Sequence, residues 1–237
     1  MSPPRVAAAR GSSARTRLAT ILRIDRFDPC APRSSFFSSA DASHSVSTIK
    51  RRGAVGQDFD ALDRLGASIH ERWGKLDILV ANGAILGPIS PITHVQPKEW
   101  DAVMATNVTS NYRLIRSMDP LLRASDAGRA IFVSSGASWK CTAYWGPYSV
   151  SKAALDALVK TYAAEVASTN VKAMMVNPGP LRTDMRARAM PGEDPLTLKT
   201  PEDLAPHFVT LAAPSWTESG KIFDFPLNKI TAHQFPG

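Results

Sequence analysis

The sequence predicts an α/β fold with a doubly wound parallel sheet, on three observations. Stretches of helical period alternate with short apolar runs along residues 58–237. One of those runs, Ile78-Leu79-Val80, is continuous, as expected of a strand buried on both faces. The length, 237 residues with 44% hydrophobic and 21% charged, suits one soluble domain of ordinary enzyme size.

The elements follow in order. Phe59, Leu62, Leu65, Ile69 and Trp73 recur at helical spacing, and Gly74 sits where a C-cap belongs. Ile78–Val80 is the first buried strand. Pro97 opens a long helix carrying Trp100, Val103, Met104, Val108, Leu114, Ile115, Met118 and Leu122. Ala130–Val133 is a second strand, and Pro147 starts a helix through about Ser168, with Leu155, Leu158, Val159, Tyr162 and Val166 on one face. Val171–Val176 is a third strand, ended by Asn177-Pro178-Gly179. A helix at about 201–213 and a short strand from Lys221 to Phe225 complete the pattern. Helices alternating with buried strands imply right-handed crossovers, with sites at the carboxyl ends of the strands.

The formal charge of +7 suggests a nucleic-acid or acidic-membrane partner, but its distribution argues otherwise. Residues 1–57 hold nine Arg, Lys50 and three Asp, whereas residues 58–237 hold 18 basic and 18 acidic residues. The excess belongs to one Ser-rich, Glu-free segment with little periodicity. Its one apolar stretch, Leu18–Ile24, is interrupted by Arg23, and the segment reads as loop or disorder. No nucleic-acid or membrane partner is expected; no apolar run reaches the ~20 residues of a spanning helix. Two cysteines, Cys30 and Cys141, exclude a disulfide scaffold and suit a reducing, cytoplasmic compartment. The five histidines show no metal-ligand spacing, so no metal is assigned.

The chemistry concentrates after the second strand. That strand runs into Ser134-Ser135, and the next helix begins Tyr148-Ser149-Val150-Ser151-Lys152. Tyr148 and Lys152, at i and i+4, share one helix face. A free tyrosine has a pKa of about 10, too high for a base at neutral pH, and an adjacent ammonium favours the phenolate. A serine hydroxyl at the strand end can bond the same substrate oxygen, giving a proton donor/acceptor and a polariser for a carbonyl/alcohol pair. A lone Tyr-x-x-x-Lys is more often a surface pair; the serine thirteen residues earlier shifts the balance.

Several separated motifs in order carry a family resemblance: Leu79-Val80-Ala81-Asn82-Gly83-Ala84, Thr106-Asn107-Val108, Ser135, Tyr148, Lys152, and Asn177-Pro178-Gly179 with Thr183. From about Asp58 onward the chain resembles the short-chain dehydrogenase/reductases, NAD(P)-dependent oxidoreductases with a Rossmann-like sheet. The resemblance implies that Tyr148 exchanges the proton as hydride moves to or from the nicotinamide. Lys152 would lower the tyrosine pKa and hold the nicotinamide ribose; Ser135 would position the carbonyl, and Asn107 would anchor a water of the relay. Asn82, Pro178, Gly179 and Thr183 would contact NAD or NADP. A small-molecule alcohol or carbonyl substrate and a homo-oligomer, dimer or tetramer, are implied too. A catalytically silent or partner-binding relative is the alternative.

Two departures stand out. The family's Asn-Ala-Gly is Asn82-Gly83-Ala84 here, so Ala84 adds a methyl group where a glycine admits the cofactor, and strains the turn if φ is positive. The glycine-rich strand-turn-helix that receives the pyrophosphate is not found in residues 1–57, whose glycines are Gly11, Gly53 and Gly56. The first βαβαβ half is therefore expected to be missing or replaced, leaving an exposed sheet edge and poor solubility. Of the side chains near the motif, Arg182, Arg186 and Arg188 read as a solvated helix face more readily than as an acidic-substrate site. Trp139, Tyr144 and Trp145 line a pocket or simply pack, and Cys141 is a buried or half-exposed thiol.

Residues 1–57 resemble a transit peptide in composition. They also match in length the roughly 55 residues of a βαβαβ half, which favours a displaced reading frame or misassigned exon over targeting or divergence. Translating the other two upstream frames is expected to yield a glycine-rich strand-turn-helix; its absence from both overturns this reading.

Overall fold

The computed structural model describes residues 18–22, 48–49 and 59–232, with side chains from residue 60 onward. Seven strands form one sheet in the order β2-β1-β3-β4-β5-β6-β7. They are β1 (Leu18–Leu22), β2 (Thr48–Ile49), β3 (Ile78–Ala81), β4 (Arg129–Val133), β5 (Lys172–Asn177), β6 (Ile222–Asp224) and β7 (Lys229–Thr231). All neighbours are parallel except the β6–β7 pair, which is antiparallel.

Each central strand is buried on both faces, and side chains of period two feed two cores. On one face Ala130 and Phe132 of β4 and Ala173 and Met175 of β5 pack with α1 (Phe59–Trp73), α3 (Ser110–Arg123) and α5 (Gly146–Glu165). On the other, Ile131, Met174, Val176 and Phe223 pack with Leu204 and Leu211 of α7 (Pro201–Ala212). This is the doubly wound arrangement that the alternating pattern predicts. Gly74 has φ +68, and its N–H bonds the His70 carbonyl at 2.8 Å, so it is the C-cap of α1.

Three expectations are corrected. Leu18–Leu22, read as loop, is a parallel strand between β2 and β3, pairing Leu18 with Ile78 and Ile21 with Val80. A short stretch with four apolar residues of five is enough for a strand inside a parallel sheet, and Arg23 follows its end. The edge of β3 is thus covered, which removes the ground for expecting exposed sheet edge there. Apart from Leu18–Leu22 and Thr48–Ile49, residues 1–57, including Cys30 and the three glycines, lie outside the described residues. The helix from Pro97 is not continuous. It consists of α2 (Pro97–Met104), a five-residue π-helical turn at Ala105–Thr109, and α3. The helix from Pro147 ends at Glu165, short of Ser168. Two short helices, α4 (Ala137–Lys140) and α6 (Asp184–Ala189), also went unpredicted. Among the described residues no helix is long and apolar enough to cross a membrane.

Arg129, first residue of β4, ties strand to helix from the buried interior. It is 4% exposed, and burial lowers its pKa. Its Nε donates to the Ala213 carbonyl (3.1 Å), Nη1 to Gly128 (2.9 Å) and Asn170 (3.3 Å), and Nη2 to Pro214 (2.7 Å) and Trp216 (3.0 Å). Three of these carbonyls follow the C-terminus of α7, where the helix dipole is negative. Arg129→Ala is expected to cost about 3 kcal/mol, because buried carbonyls lose a charged donor. Arg129→Lys should rescue little, since one ammonium cannot span five acceptors. Urea midpoints check both; an Arg129→Ala midpoint equal to wild type contradicts the assignment.

Candidate active site

The site forms where the carboxyl end of β4 meets the first half of α5. Tyr148, Lys152 and Asp156 are spaced four apart, so they lie on one face of α5. Three consecutive residues leaving β4 meet them. The Val133 carbonyl accepts from Lys152 Nζ at 2.7 Å, the Ser134 hydroxyl donates to Asp156 Oδ1, and Ser135 hydrogen-bonds Tyr148. The Ser134 amide continues the ladder by bonding the Val176 carbonyl at 2.8 Å. Tyr148 is 8% exposed, Lys152 2%, Ser134 1% and Asp156 0%.

Sequence reasoning expects Lys152 to depress the Tyr148 phenol; the structure differs. Burial pushes Tyr148 up to about 12, with the Ser135 hydrogen bond acting in the opposite direction. Burial also brings the Lys152 ammonium down to about 8, against the pull of Asp156. The ammonium is bonded to a carbonyl and stands 5.6 Å from the Tyr148 ring centroid, over the ring. The phenol is therefore held neutral.

Asn107 joins the cluster from the π-helical turn and is fully buried. Its Oδ1 accepts from the Ile85 amide (2.8 Å), while Nδ2 donates to the Ile85 carbonyl (2.9 Å) and to Ser151 Oγ (2.9 Å). Its own carbonyl accepts from Asn111 Nδ2 at 2.8 Å. This asparagine's side chain is spent on protein partners, and it fastens the turn and the loop after β3 to α5.

The loop after β5 is organised by Asn177, singled out in the sequence only as part of its turn. Its Oδ1 accepts from the amides of Gly136 (2.8 Å) and Gly179 (3.1 Å), and its Nδ2 donates to Asp224 Oδ2 at 2.9 Å. Gly179 has φ +64, and a Cβ there would stand 2.3 Å from Pro226 Cγ. Both conformation and space demand glycine. Thr183 is exposed and caps α6, its Oγ1 accepting from the Arg186 amide at 3.3 Å.

Asn82 is exposed at the carboxyl end of β3. Ala84 is not among the residues of positive φ, so the exchanged Gly83-Ala84 order carries no left-handed strain. Of the arginines, Arg182 and Arg188 are exposed, as a solvated face has it, and Arg186 is half-buried. Arg182 donates to the Pro195 (2.9 Å) and Leu198 (3.4 Å) carbonyls, and Arg186 forms a two-pronged pair with Glu193 at 2.5 and 2.6 Å. Only Arg188 of the three stands exposed without a described partner. Trp145 meets Tyr148 edge-on at 6.0 Å, while Trp139, Tyr144 and Cys141 are exposed. Among the described residues no group of His, Cys, Asp and Glu is arranged to hold a metal ion.

The donor set fits the nicotinamide–ribose half of a dinucleotide. Lys152 keeps two N–H bonds undonated among the described residues, suited to vicinal hydroxyls. The loop after β5 presents backbone at a glycine that cannot carry a side chain. The pyrophosphate half falls to residues outside those described. Sequence reasoning missed Ser134 and Asp156; the signals available were the tandem serine and the third member of the Tyr148–Lys152 four-residue spacing.

Comparison with known proteins bears on this arrangement. The profile of the short chain dehydrogenase family matches residues 40–194, starting upstream of Asp58 and so inside the segment set apart by its charge. Over 162 residues the chain is 36% identical to the uncharacterized oxidoreductase YciK of Escherichia coli, covering 68% of this chain and 64% of that protein. An uncharacterized NAD-dependent oxidoreductase of Mycobacterium tuberculosis is 32% identical, covering 76% of this chain and 70% of that one. Among solved structures, an Escherichia coli short chain dehydrogenase complexed with NADPH superposes with TM-score 0.70 at 32% identity, covering 77% of this chain and 75% of that one. A Salmonella enterica short chain dehydrogenase gives TM-score 0.69 at 32% identity, covering 77% and 74%. The chain thus spans 64% of the length of YciK and about three quarters of these solved structures. On the family profile, the sheet order and the Ser135–Tyr148–Lys152 geometry together, the chain belongs to the short chain dehydrogenase family.

Proposed function

We propose that this chain is an NAD(P)-dependent oxidoreductase that interconverts an alcohol and a carbonyl, with Tyr148 as proton donor and acceptor. The observation that carries the reading is the buried Tyr148 hydroxyl, bonded to Ser135 and backed one helical turn on by Lys152. Relatives named as NAD-dependent and a structural neighbour solved with NADPH support the cofactor class.

The nicotinamide would supply or accept the hydride. On the protein side, Ser135 Oγ and Tyr148 Oη converge on the substrate oxygen, and Tyr148 gives up its proton as negative charge develops there. Lys152 would hold the ribose and, as a cation, stabilise the phenolate left behind. Asn82, Pro178, Gly179 and Thr183 would line the nicotinamide end. Asn107 would keep the π-helical turn seated against α5. With its phenol raised by burial, the site favours Tyr148 as a neutral donor, and so carbonyl reduction at neutral pH. The exposed Trp139 and Tyr144 beside the site give a substrate with bulky apolar substituents a surface to rest on.

Fluorescence titration with NADH and NADPH tests the reading. Saturable binding of at least one is expected, and none of either refutes it. Tyr148→Phe is expected to abolish turnover, by 10²-fold or more, with cofactor affinity nearly unchanged; retained turnover removes Tyr148 from the chemistry. The pH dependence follows from the two shifts. Below about 8 both groups are protonated, whereas above it Lys152 loses its charge while Tyr148 stays neutral until about 12. The kcat/KM for reduced cofactor, which reports the free enzyme, should be level below about pH 8 and fall above it. A level profile to pH 10 contradicts the assignment.

A further inference from the structure

The tandem serine at the end of β4 is only half used by the mechanism above. Ser135 serves Tyr148, but Ser134 turns its hydroxyl the other way, onto Asp156. Asp156 is fully buried and lies one turn beyond Lys152 on the same face of α5. Lys152 is in turn bonded to the carbonyl of Val133, the residue just before Ser134. A carboxylate taken wholly out of water costs several kcal/mol unless it is hydrogen-bonded and faces a cation. Here the Ser134 hydroxyl supplies the hydrogen bond, and Lys152, one turn back on the same buried face of α5, is a cation whose charge Asp156 favours. Resting on the reading above, we infer that Asp156, oriented by Ser134, is a positioning residue that keeps the buried Lys152 in its cationic form.

The groups set against Lys152 among the described residues come from three elements, and half-buried Lys160 stands one turn beyond Asp156 on the same face of α5. From α5 come Tyr148 and Asp156, from β4 the Val133 carbonyl, and from the π-helical turn the neutral Asn107, through Ser151. The charges of α3 are directed elsewhere: Arg113 pairs with Asp63 at 3.7 Å, and Asp119 takes both Arg123 and the Tyr162 hydroxyl. Arg116 is exposed. Desolvation pulls the ammonium down and Asp156 holds it up. Removing the carboxylate therefore leaves the first effect unopposed, and the ammonium should titrate lower. The side-chain change Asp156→Asn keeps the shape and deletes the charge.

The direct test is NMR of the full chain carrying 13Cε-lysine, without cofactor. The Lys152 signal is identified by its loss in Lys152→Arg. The Lys152 titration midpoint is expected to fall by about one pH unit in Asp156→Asn. It should fall by less in Ser134→Ala, which removes one hydroxyl and serves as the informative variant if Asp156→Asn does not fold. In turnover, the alkaline limb of kcat/KM should move to lower pH by the same amount. A midpoint unmoved in the variants that fold overturns the inference, whatever the activity. Absence of saturable NADH or NADPH binding overturns the functional reading instead, whatever the NMR shows.

Discussion

The site depends on one short junction, in which three consecutive residues leaving β4 engage three residues of α5 spaced four apart. Val133 offers a carbonyl to Lys152, Ser134 a hydroxyl to Asp156, and Ser135 a hydrogen bond to Tyr148. Each of the three α5 side chains is at least nine-tenths buried. Ionisable groups so far from water are stable only with partners in place, and here one strand end provides a partner to all three. The junction is rigid because the Ser134 amide is still in the ladder with β5, bonded to the Val176 carbonyl.

The surroundings serve that junction. Asn177 draws Gly136, Gly179 and Asp224 together, so the loops after β4 and β5 and the end of β6 move as one body. Asn107 sews the loop after β3 and the π-helical turn to Ser151. A π-helical turn leaves backbone groups out of the usual helical pattern, and Asn111 takes up the Asn107 carbonyl that results. At the far end of β4, Arg129 anchors the same strand to the carbonyls beyond α7. The strand that presents the serines is thus fixed at both ends.

Much of this was legible in the sequence, for identifiable reasons. Strands buried on both faces are written as predominantly apolar runs, so β3, β4 and β5 were plain. Helices with one apolar stripe read as well, and Gly74 marked an end correctly. Tyr148, Lys152 and Ser135 were found because chemistry demands those residue types at one helical turn and at a strand end. What was missed depends on tertiary partners. Arg129 reads as a surface residue until five carbonyls converge on it, and Asp156 reads as helix polarity until Ser134 is seen to face it. A π-helical turn needs only one extra residue in an otherwise helical pattern, so the apolar period runs through it unchanged. The strand Leu18–Leu22 was obscured by its charged, Ser-rich surroundings and by Thr20 in its middle, although, like β4, it is apolar at four of its five residues. The neutral state of the buried Tyr148 phenol was not legible, because spacing fixes which side chains are neighbours while burial decides which charge state survives.

That balance between burial and charge is the core of the account, and Tyr148 reports on it directly. In the full chain labelled with 13Cζ-tyrosine and free of cofactor, the Tyr148 resonance, identified by its loss in Tyr148→Phe, should hold its neutral position through pH 10 and titrate only toward about 12. A Tyr148 midpoint below 10 would contradict it, by showing that the ammonium, and not desolvation, governs the phenol.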